Sequence, residues 1–312
     1  MRKKYFILMA LWFLVLFSVF NNDPILGFES TEKENYLDKK SSVGKLGVVA
    51  PGAKLIKLAD GFKYLGAVAA DTEGNILFTD MPAKRIYKWS LDRDLSVFLE
   101  NSDCANGLYF DKKGNLLVCK QGKRQLVSID PQGKITVLVD KYDGKRFNCP
   151  NDLWIDPSGG VYFTDPHYCQ SKEQDGEYVF YLSNDYKKLT RVIDYIVRPN
   201  GIIGTLDGKL LYVGDPEDGK TYIYSIINDG MLSKGRLFVP MGSDGMTIDS
   251  EGNIYLTVGF DVFVYDALGN IIEKINVPEP VTNLCFGGQD RHTLFITGNT
   301  SLYSIRMRVE GF

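Results

Sequence analysis

Short apolar runs alternate with polar turns along most of the chain, and they pair up as hairpins. In the clearest example, an apolar run at residues 153–155 is followed by a polar turn at 156–159 and a second apolar run at 161–164. Within the turn, Pro157 fixes its own φ and Gly159 supplies a positive φ. The second run is rich in β-branched and aromatic residues, which favour strands. This pattern predicts a β-hairpin.

The hairpin pattern recurs along the chain, with turns that begin at Asp71, Asp111, Asp156, Thr205, Asp249 and Gly288. Successive turns are separated by 39 to 49 residues. Further apolar runs between the hairpins, such as residues 85–89 and 135–139, bring each repeat to about four strands. No helical periodicity is visible after residue 20. The chain is therefore predicted to be all-β, a six-bladed β-propeller of four-stranded antiparallel blades. Residues 55–58 are expected to pair with the C-terminal strands and close the ring.

The N-terminus has the pattern of a targeting segment. Basic residues at positions 2–4 precede an apolar run at 5–20, which is shorter than the roughly 20 residues that a membrane-spanning helix needs. We expect residues 1–28 to be a signal peptide or an uncleaved membrane anchor, residues 29–45 a polar linker, and residues 46–312 the propeller. The chain is then exported, either periplasmic or secreted, or it is held at the membrane through residues 5–20 alone.

Composition removes several classes of function. The net charge is −3 and no basic block stands out beyond the first residues, so nucleic acid is not an expected partner. None of the five cysteines forms a C-x-x-C pair, and their odd number does not indicate a disulfide framework. We expect them to be buried as small apolar side chains. The two histidines, His167 and His292, give little support to a histidine-based mechanism, and no G-x-S-x-G nucleophile motif is present.

One position in each repeat carries candidate chemistry. The residues just before the first strand of each hairpin are Gly66, Asn106, Asn151, Asn200, Asp244 and Asn283. Since the first strand of each propeller blade lines the central channel, these residues are expected to meet at one mouth of it. Their amide and carboxylate oxygens suit a hard cation such as Ca²⁺ or Mg²⁺, with Mn²⁺ as a further choice. A plain turn role also stays open, because Asn-Gly at 106–107 and 200–201 is a common turn dipeptide.

Several of these segments resemble the gluconolactonase/regucalcin family, also called the senescence marker protein or luciferin-regenerating-enzyme-like family. The similarity extends over residues 55–307 and rests on Pro-Asn-Asp-Leu at 150–153, Tyr-Phe-Thr-Asp-Pro at 162–166, Asn-Gly at 200–201, Asp-Gly-Met at 244–246 and Thr-Asn-Leu-Cys-Phe-Gly-Gly at 282–288. The resemblance implies a six-bladed propeller that holds one divalent metal in its channel. It also implies an enzyme that hydrolyses a lactone, commonly a sugar lactone or similar cyclic ester.

The resemblance also implies roles for individual residues. Asn151 becomes a metal ligand or a substrate contact, Asn200 a metal ligand, and Asp244 both a metal ligand and the general base. Asn106 and Asn151 would then orient the hydroxyls of a small lactone or ester substrate. Ca²⁺ is the expected cofactor, with Mg²⁺, Mn²⁺ and Zn²⁺ as alternatives. A carboxylate beside a cation stays ionised, as a base must.

The first repeat departs from the family pattern, because Gly66 stands where the family usually has a metal-binding Glu. A site with Asp244 as its only carboxylate should bind Ca²⁺ more weakly, since affinity depends on ligand charge. Asp103 lies near the ring in sequence, but nothing in the pattern makes it a substitute. Gly66 favours one alternative, a catalytically degenerate propeller that binds a ligand or a protein. A separate alternative also stays open, a propeller enzyme of another class, such as a strictosidine-synthase-like catalyst.

Overall fold

Six four-stranded antiparallel sheets follow one another along residues 47–311, the part of the chain that the computed structural model describes. The predicted six-bladed propeller is therefore confirmed. The expected signal or anchor at residues 1–28 and the linker at 29–45 lie outside the described residues. Between residues 47 and 311 no helix is long and apolar enough to cross a bilayer. The helical structure of this range is one 3₁₀ turn, Asn228–Gly230.

Each blade begins with an inner strand at the channel and ends with an outer strand at the rim. In that order, blades 1 to 3 consist of Leu65–Ala70, Ile76–Asp80, Arg85–Trp89 and Leu95–Glu100; Ala105–Phe110, Leu116–Lys120, Gln125–Ile129 and Ile135–Val139; and Leu153–Ile155, Val161–Asp165, Tyr178–Leu182 and Leu189–Ile193. Blades 4 to 6 consist of Ile202–Gly204, Leu210–Asp215, Lys220–Ser225 and Arg236–Val239; Met246–Ile248, Ile254–Val258, Asp261–Tyr265 and Ile271–Asn276; and Val281–Gly287, Thr293–Gly298, Ser301–Arg306 and Ile56–Asp60. A two-stranded hairpin, Lys141–Tyr142 with Lys145–Arg146, separates blades 2 and 3.

The sixth blade joins the two ends of the propeller. Its outer strand, Ile56–Asp60, comes before blade 1 in sequence and pairs antiparallel with Ser301–Arg306, so that Ile56 lies opposite Ser304. This confirms the predicted closure. The pairing covers the edge that an open ring would expose, because backbone groups from both ends of the chain satisfy one another.

Apolar side chains fill the spaces between blades. One buried cluster joins blades 1 and 2 and includes Ala67, Leu77, Leu108 and Leu116. Second strands such as Val161–Asp165 are buried along their whole length, so they read as continuous apolar runs instead of alternating ones. The outer strand Leu95–Glu100 is mostly exposed. The core is therefore a ring of interfaces around the channel.

The repeated turns are held by a carboxylate. Asp249 Oδ1 accepts the backbone N–H groups of Glu251 and Asn253, at 3.0 and 2.9 Å. Asp71, Asp111 and Asp156 do the same in their own turns. The fourth residue of each of these turns is a Gly with positive φ, which only Gly adopts without strain. In the sixth repeat Arg291 takes that position with a φ of 55°, so the turn geometry persists where its sequence signal is lost.

Candidate functional site

The first strands of consecutive blades contact one another all the way round the ring. Their starting residues therefore meet at one end of the channel, which we call the mouth. The sequence register predicts that each candidate residue lies just before its strand. In blades 3 to 5 the candidates Asn151, Asn200 and Asp244 lie two positions before it. In blades 1, 2 and 6 the strand starts earlier and bulges at the candidate position, so Gly66, Asn106 and Asn283 lie within it.

Threonines at the ends of the second strands fix these positions. Thr164 Oγ1 donates to the backbone carbonyl of Asn200 at 2.8 Å, and Thr297 Oγ1 donates to that of Gly66 at 2.9 Å. Each bond crosses from one blade to the next. Asn151 is also held by its backbone, whose N–H donates to Thr164 O at 2.9 Å. The mouth is thus tied together by backbone contacts that leave the candidate side chains available.

Asn200 is the best-defined polar side chain of the mouth. It is 5% exposed, and its amide nitrogen donates to Tyr168 Oη at 3.0 Å and to the Asp244 carboxylate. Its amide oxygen is buried and has no hydrogen-bond partner among the described residues. An unpaired buried acceptor costs about 1–3 kcal/mol. A cation bound to this oxygen would remove that penalty.

Asp244 lies half-buried beside Asn200. Burial raises its pKa to about 7, against the lowering effect of the hydrogen bond from Asn200. Two phenols flank it. Burial raises the pKa of Tyr64 and of Tyr168, and the charge of Asp244 adds to the shift in both. Both tyrosines therefore stay protonated at neutral pH, whereas the pKa of the neighbouring Asp244 is close to neutral.

Tyr168 is positioned by a disulfide that the sequence did not predict. Cys149 and Cys169 are bonded at 2.05 Å, which links the loop after Val161–Asp165 to the entry of blade 3. The expectation of buried thiols is therefore wrong for these two cysteines, although it is right for Cys119, which is fully buried. The Arg198 guanidinium also lies over the Tyr168 ring, 5.4 Å from its centre. Between them, the disulfide and Arg198 hold the phenol at the mouth.

His167 is the neighbour of Tyr168 in this loop. Its backbone N–H donates to Glu177 Oε2 at 2.9 Å, and its Nε2 is buried without a hydrogen-bond partner in the described range. No hydrogen bond therefore joins its Nε2 to Asn200 or Asp244. The expectation of no histidine-based mechanism stays a prediction.

Asp152 is a second carboxylate of the channel. Asn283 Nδ2 donates to its Oδ2 at 3.3 Å, which joins blade 3 to blade 6 across the channel. Burial raises the pKa of Asp152 to about 7, and the charge of Asp244 contributes. Sequence register selects only the residue before each strand, so it points to Asn151 and passes over Asp152. The signal is present in the Asn-Asp pair of that motif.

Gly66 leaves no empty ligand position. A Cβ at this residue would overlap Asn106 Oδ1 and lie 3.0 Å from Met81 Sδ, so the Asn106 amide already occupies the start of that space. Asp103 does not take over the role of the missing Glu, because it pairs with the buried ammonium of Lys120 at 3.1 Å. Among the candidate ring positions Asp244 carries the carboxylate, and the neighbouring Asp152 carries another that lines the channel further in.

These residues fit a hard cation bound mainly by amide oxygens. Residues 47–311 contain no group of three or more His, Cys, Asp or Glu side chains that could hold a metal. A cation at the mouth would depend on the Asp244 carboxylate and the unpaired Asn200 oxygen, with Asn151 beside them in the ring. Carboxylate and amide oxygens are the ligands that Ca²⁺ and Mg²⁺ prefer.

Comparisons with known proteins agree with this geometry. Residues 65–300 match the family described as the SMP-30/Gluconolactonase/LRE-like region. A gluconolactonase from Zymomonas mobilis is 30% identical, over 87% of this chain and 88% of that protein. The structure of a gluconolactonase from Xanthomonas campestris aligns with a TM-score of 0.78 and 28% identity, over 83% of this chain and 91% of that one. Regucalcin from Agrobacterium tumefaciens, a calcium-binding protein, aligns with a TM-score of 0.70 and 18% identity over 86% and 95% of the two chains, which shows the shared fold alone.

Proposed function

Because this chain belongs to the SMP-30/gluconolactonase/LRE-like family, we propose that it is a lactone hydrolase that opens a small sugar lactone at the mouth of its channel. The observation that carries the proposal is the unpaired, buried Asn200 oxygen beside Asp244. A structural hydrogen-bond network would satisfy such an oxygen. In a ligand-binding site, the ligand is the partner of such an oxygen.

We assign the mouth one divalent cation, Ca²⁺, held by Asp244, Asn200 and Asn151. When bound, such a cation polarises a carbonyl oxygen and stabilises the negative charge that develops there. With Gly66 in place of the family's Glu, the site has one carboxylate at the mouth, and we expect weak Ca²⁺ binding for that reason.

The side chains of this chain supply the remaining chemistry. Asp244 accepts a proton from water as the water oxygen attacks the lactone carbonyl carbon. The ring C–O bond then breaks, and the departing oxygen takes the proton back from Asp244, which gives a hydroxy acid and restores the ionised base. Burial raises the pKa of Asp244 to about 7 in the metal-free protein, and a bound cation would lower this pKa and keep the carboxylate ionised, as a base must be. Tyr64 and Tyr168 are protonated donors next to it, and Asn106 and Asn151 are placed to orient substrate hydroxyls.

We also propose that the protein is exported. The Cys149–Cys169 disulfide supports this proposal, since disulfides persist mainly in oxidising compartments. The apolar segment at residues 5–20 supports it independently.

The test combines turnover with metal binding in the purified protein. We expect hydrolysis of glucono-δ-lactone in a pH-stat, its loss on chelation and its recovery with Ca²⁺. Calorimetric titration should show Ca²⁺ binding that Asn200→Ala abolishes. The exposed Asn184 offers the matched control Asn184→Ala, which should bind as the wild type does. Hydrolysis that survives chelation would overturn the metal assignment. Ca²⁺ binding without hydrolysis of any lactone tested would favour the non-catalytic propeller.

A further inference from the structure

A second cavity occupies the other half of the channel. Its volume is about 390 Å³, and it is lined by the ends of the inner strands and by the turns that follow them. We call it the turn-end cavity. Asn200 and Asp244 do not line it. The hydrogen bond from Asn283 to Asp152 lies at its inner end, between the turn-end cavity and the mouth.

The wall of the turn-end cavity is largely hydrocarbon. Every blade contributes an apolar side chain: Val68, Leu108, Leu153, Ile202, Met246 and Leu284. Four aromatic residues also line it, Tyr109, Phe110, Trp154 and Phe286. The Trp154 indole N–H donates a hydrogen bond to Tyr109 Oη. Trp154 is 3% exposed and stacks on Tyr162 with ring centres 5.9 Å apart. The free thiol of Cys285 is a further polar group on this wall.

The charged groups of the cavity oppose an anionic ligand. Four carboxylates line it, those of Asp71, Asp111, Asp152 and Asp156, against the two cations of Lys112 and Arg291. Lys88, outside the lining, pairs with Asp71 at 3.5 Å. Both cations are already bound to backbone carbonyls: Lys112 Nζ donates to Pro157 O at 3.0 Å, and Arg291 Nη2 donates to Asp71 O at 2.7 Å. A carboxylate inside the cavity would face a net negative wall. The hydroxy acid made at the mouth is therefore a poor ligand for this cavity.

We infer that the turn-end cavity is a second binding site, for a small uncharged, mainly apolar ring compound that carries one hydrogen-bonding group. The volume of about 390 Å³ lies in the range of small-molecule sites. The hydrocarbon ring of such a compound matches the aliphatic wall, and its polar group matches the Tyr109 phenol or the Cys285 thiol. This inference does not depend on the reaction at the mouth.

The first test uses a matched pair of probes on the full chain. The neutral probe is 4-tert-butylcyclohexanol, and the anionic probe is 4-tert-butylcyclohexanecarboxylate. The full chain has three tryptophans, Trp12, Trp89 and Trp154. Binding is therefore followed by the fluorescence of Trp154 in a Trp12→Phe, Trp89→Phe background, and the further change Trp154→Phe serves as the blank. We expect a saturable change with the alcohol and at least tenfold weaker binding of the carboxylate. No saturable change with the alcohol, or equal binding of the two probes, would overturn the inference.

The second test blocks the cavity. Cys285 is half-buried and lines the cavity, so Cys285→Phe should reduce binding of the alcohol at least tenfold while lactone hydrolysis continues. Alkylation of the wild type provides a readout that does not depend on the folding of this variant. The alcohol should protect Cys285 from N-ethylmaleimide and leave Cys104, which does not line the cavity, unprotected. Equal protection of both thiols, or none, would contradict the inference.

Discussion

Asp244 and Asp249 flank the same inner strand, Met246–Ile248, and the protein uses the two carboxylates in opposite ways. At the turn end, Asp249 accepts hydrogen bonds from two backbone N–H groups, the Asn253 amide and the Tyr255 hydroxyl. At the mouth, Asp244 accepts a hydrogen bond from Asn200, whose own oxygen is unpaired among the described residues. The hydrogen bonds around Asp249 therefore stay within its own turn and strand, whereas those around Asp244 lead to an oxygen that has no partner among the described residues.

The same contrast extends to the whole ring. At the turn end, Asp71, Asp111, Asp156 and Asp249 repeat one hydrogen-bond pattern, because every blade needs the same reversal of chain direction. At the mouth four blades repeat an Asn, but blade 5 has Asp244 and blade 1 has Gly66. The two ends therefore differ in how their polar side chains are bonded: the turn-end carboxylates bind their own turns, whereas the Asn200 oxygen at the mouth has no partner among the described residues.

The largest effect is expected from Asp244→Asn. Loss of the base should lower kcat/KM for glucono-δ-lactone by about 10³-fold, within the usual contribution of a general base. The melting temperature should stay within a few degrees of the wild type, because the substitution keeps the shape of a side chain with few structural bonds. Parallel turnover and thermal unfolding measurements check both parts. Activity retained within tenfold would place the base elsewhere.

Asp249→Ala should produce the reverse result. It leaves buried donors of Asn253 and Tyr255 without a partner, at a cost of about 3 kcal/mol in the free energy of unfolding. Turnover by the folded fraction should be unchanged. Asp249→Asn is the matched variant, since an amide oxygen still supports the turn, and its loss should be smaller. Urea unfolding of the three proteins gives the order. A variant at position 249 that lost turnover while remaining fully folded would contradict the conclusion that the turn end acts on stability and the mouth on turnover.

A smaller effect is expected where loop and ring meet. Tyr168→Phe removes one of the two acceptors of the Asn200 amide nitrogen and leaves Asp244 as the other, so the amide is held less firmly in its orientation. We expect kcat/KM to fall about tenfold, the equivalent of about 1.4 kcal/mol, together with weaker Ca²⁺ binding. Tyr222→Phe makes the same chemical change where the phenol bonds to Asp218, and it should leave both quantities unaltered. Equal turnover in the two variants would remove Tyr168 from the site.

The turn end could be predicted from sequence because its chemistry is local. An Asp and a Gly three residues apart contain the hydrogen-bond acceptor and the positive φ that the turn requires, and the repeat of this pair predicts the blades. The sixth turn hides the signal, since Arg291 takes the left-handed conformation and its guanidinium binds Asp71 O. The number of blades then follows from the spacing and the flanking apolar runs.

The mouth could be predicted only in part. The repeat of the hairpins shows which residues lie at the ends of strands, but it does not show where the connecting loops run. Register brings Asn200 and Asp244 to one end, and they do touch. Tyr64 and Tyr168 lie in connections whose course depends on tertiary contacts. The Cys149–Cys169 pairing and the Arg198 contact fix Tyr168, and neither follows from spacing along the chain.

The smallest expected effect tests the sixth turn by pH. Arg306 donates to both carboxylate oxygens of Asp290 at 2.8 and 2.6 Å, and this lowers the pKa of Asp290 to about 2. Since the unfolded value is about 3.9, the pair adds stability above about pH 4 that is lost as the pH falls toward about 2. The side chains of Asp290 and Arg306 are 54% and 48% exposed, so water screens the pair to about 0.5 kcal/mol.

Urea unfolding of the wild type and of Asp290→Asn should therefore give stabilities that differ at about pH 5 and converge near pH 2, with a smaller difference in high salt. A difference that grew on acidification would mean that Asp290 is stabilised in its protonated form. In that case the hydrogen bond from Arg291 to Asp71 O would hold the sixth turn, and the ion pair between Asp290 and Arg306 would add no stability to it.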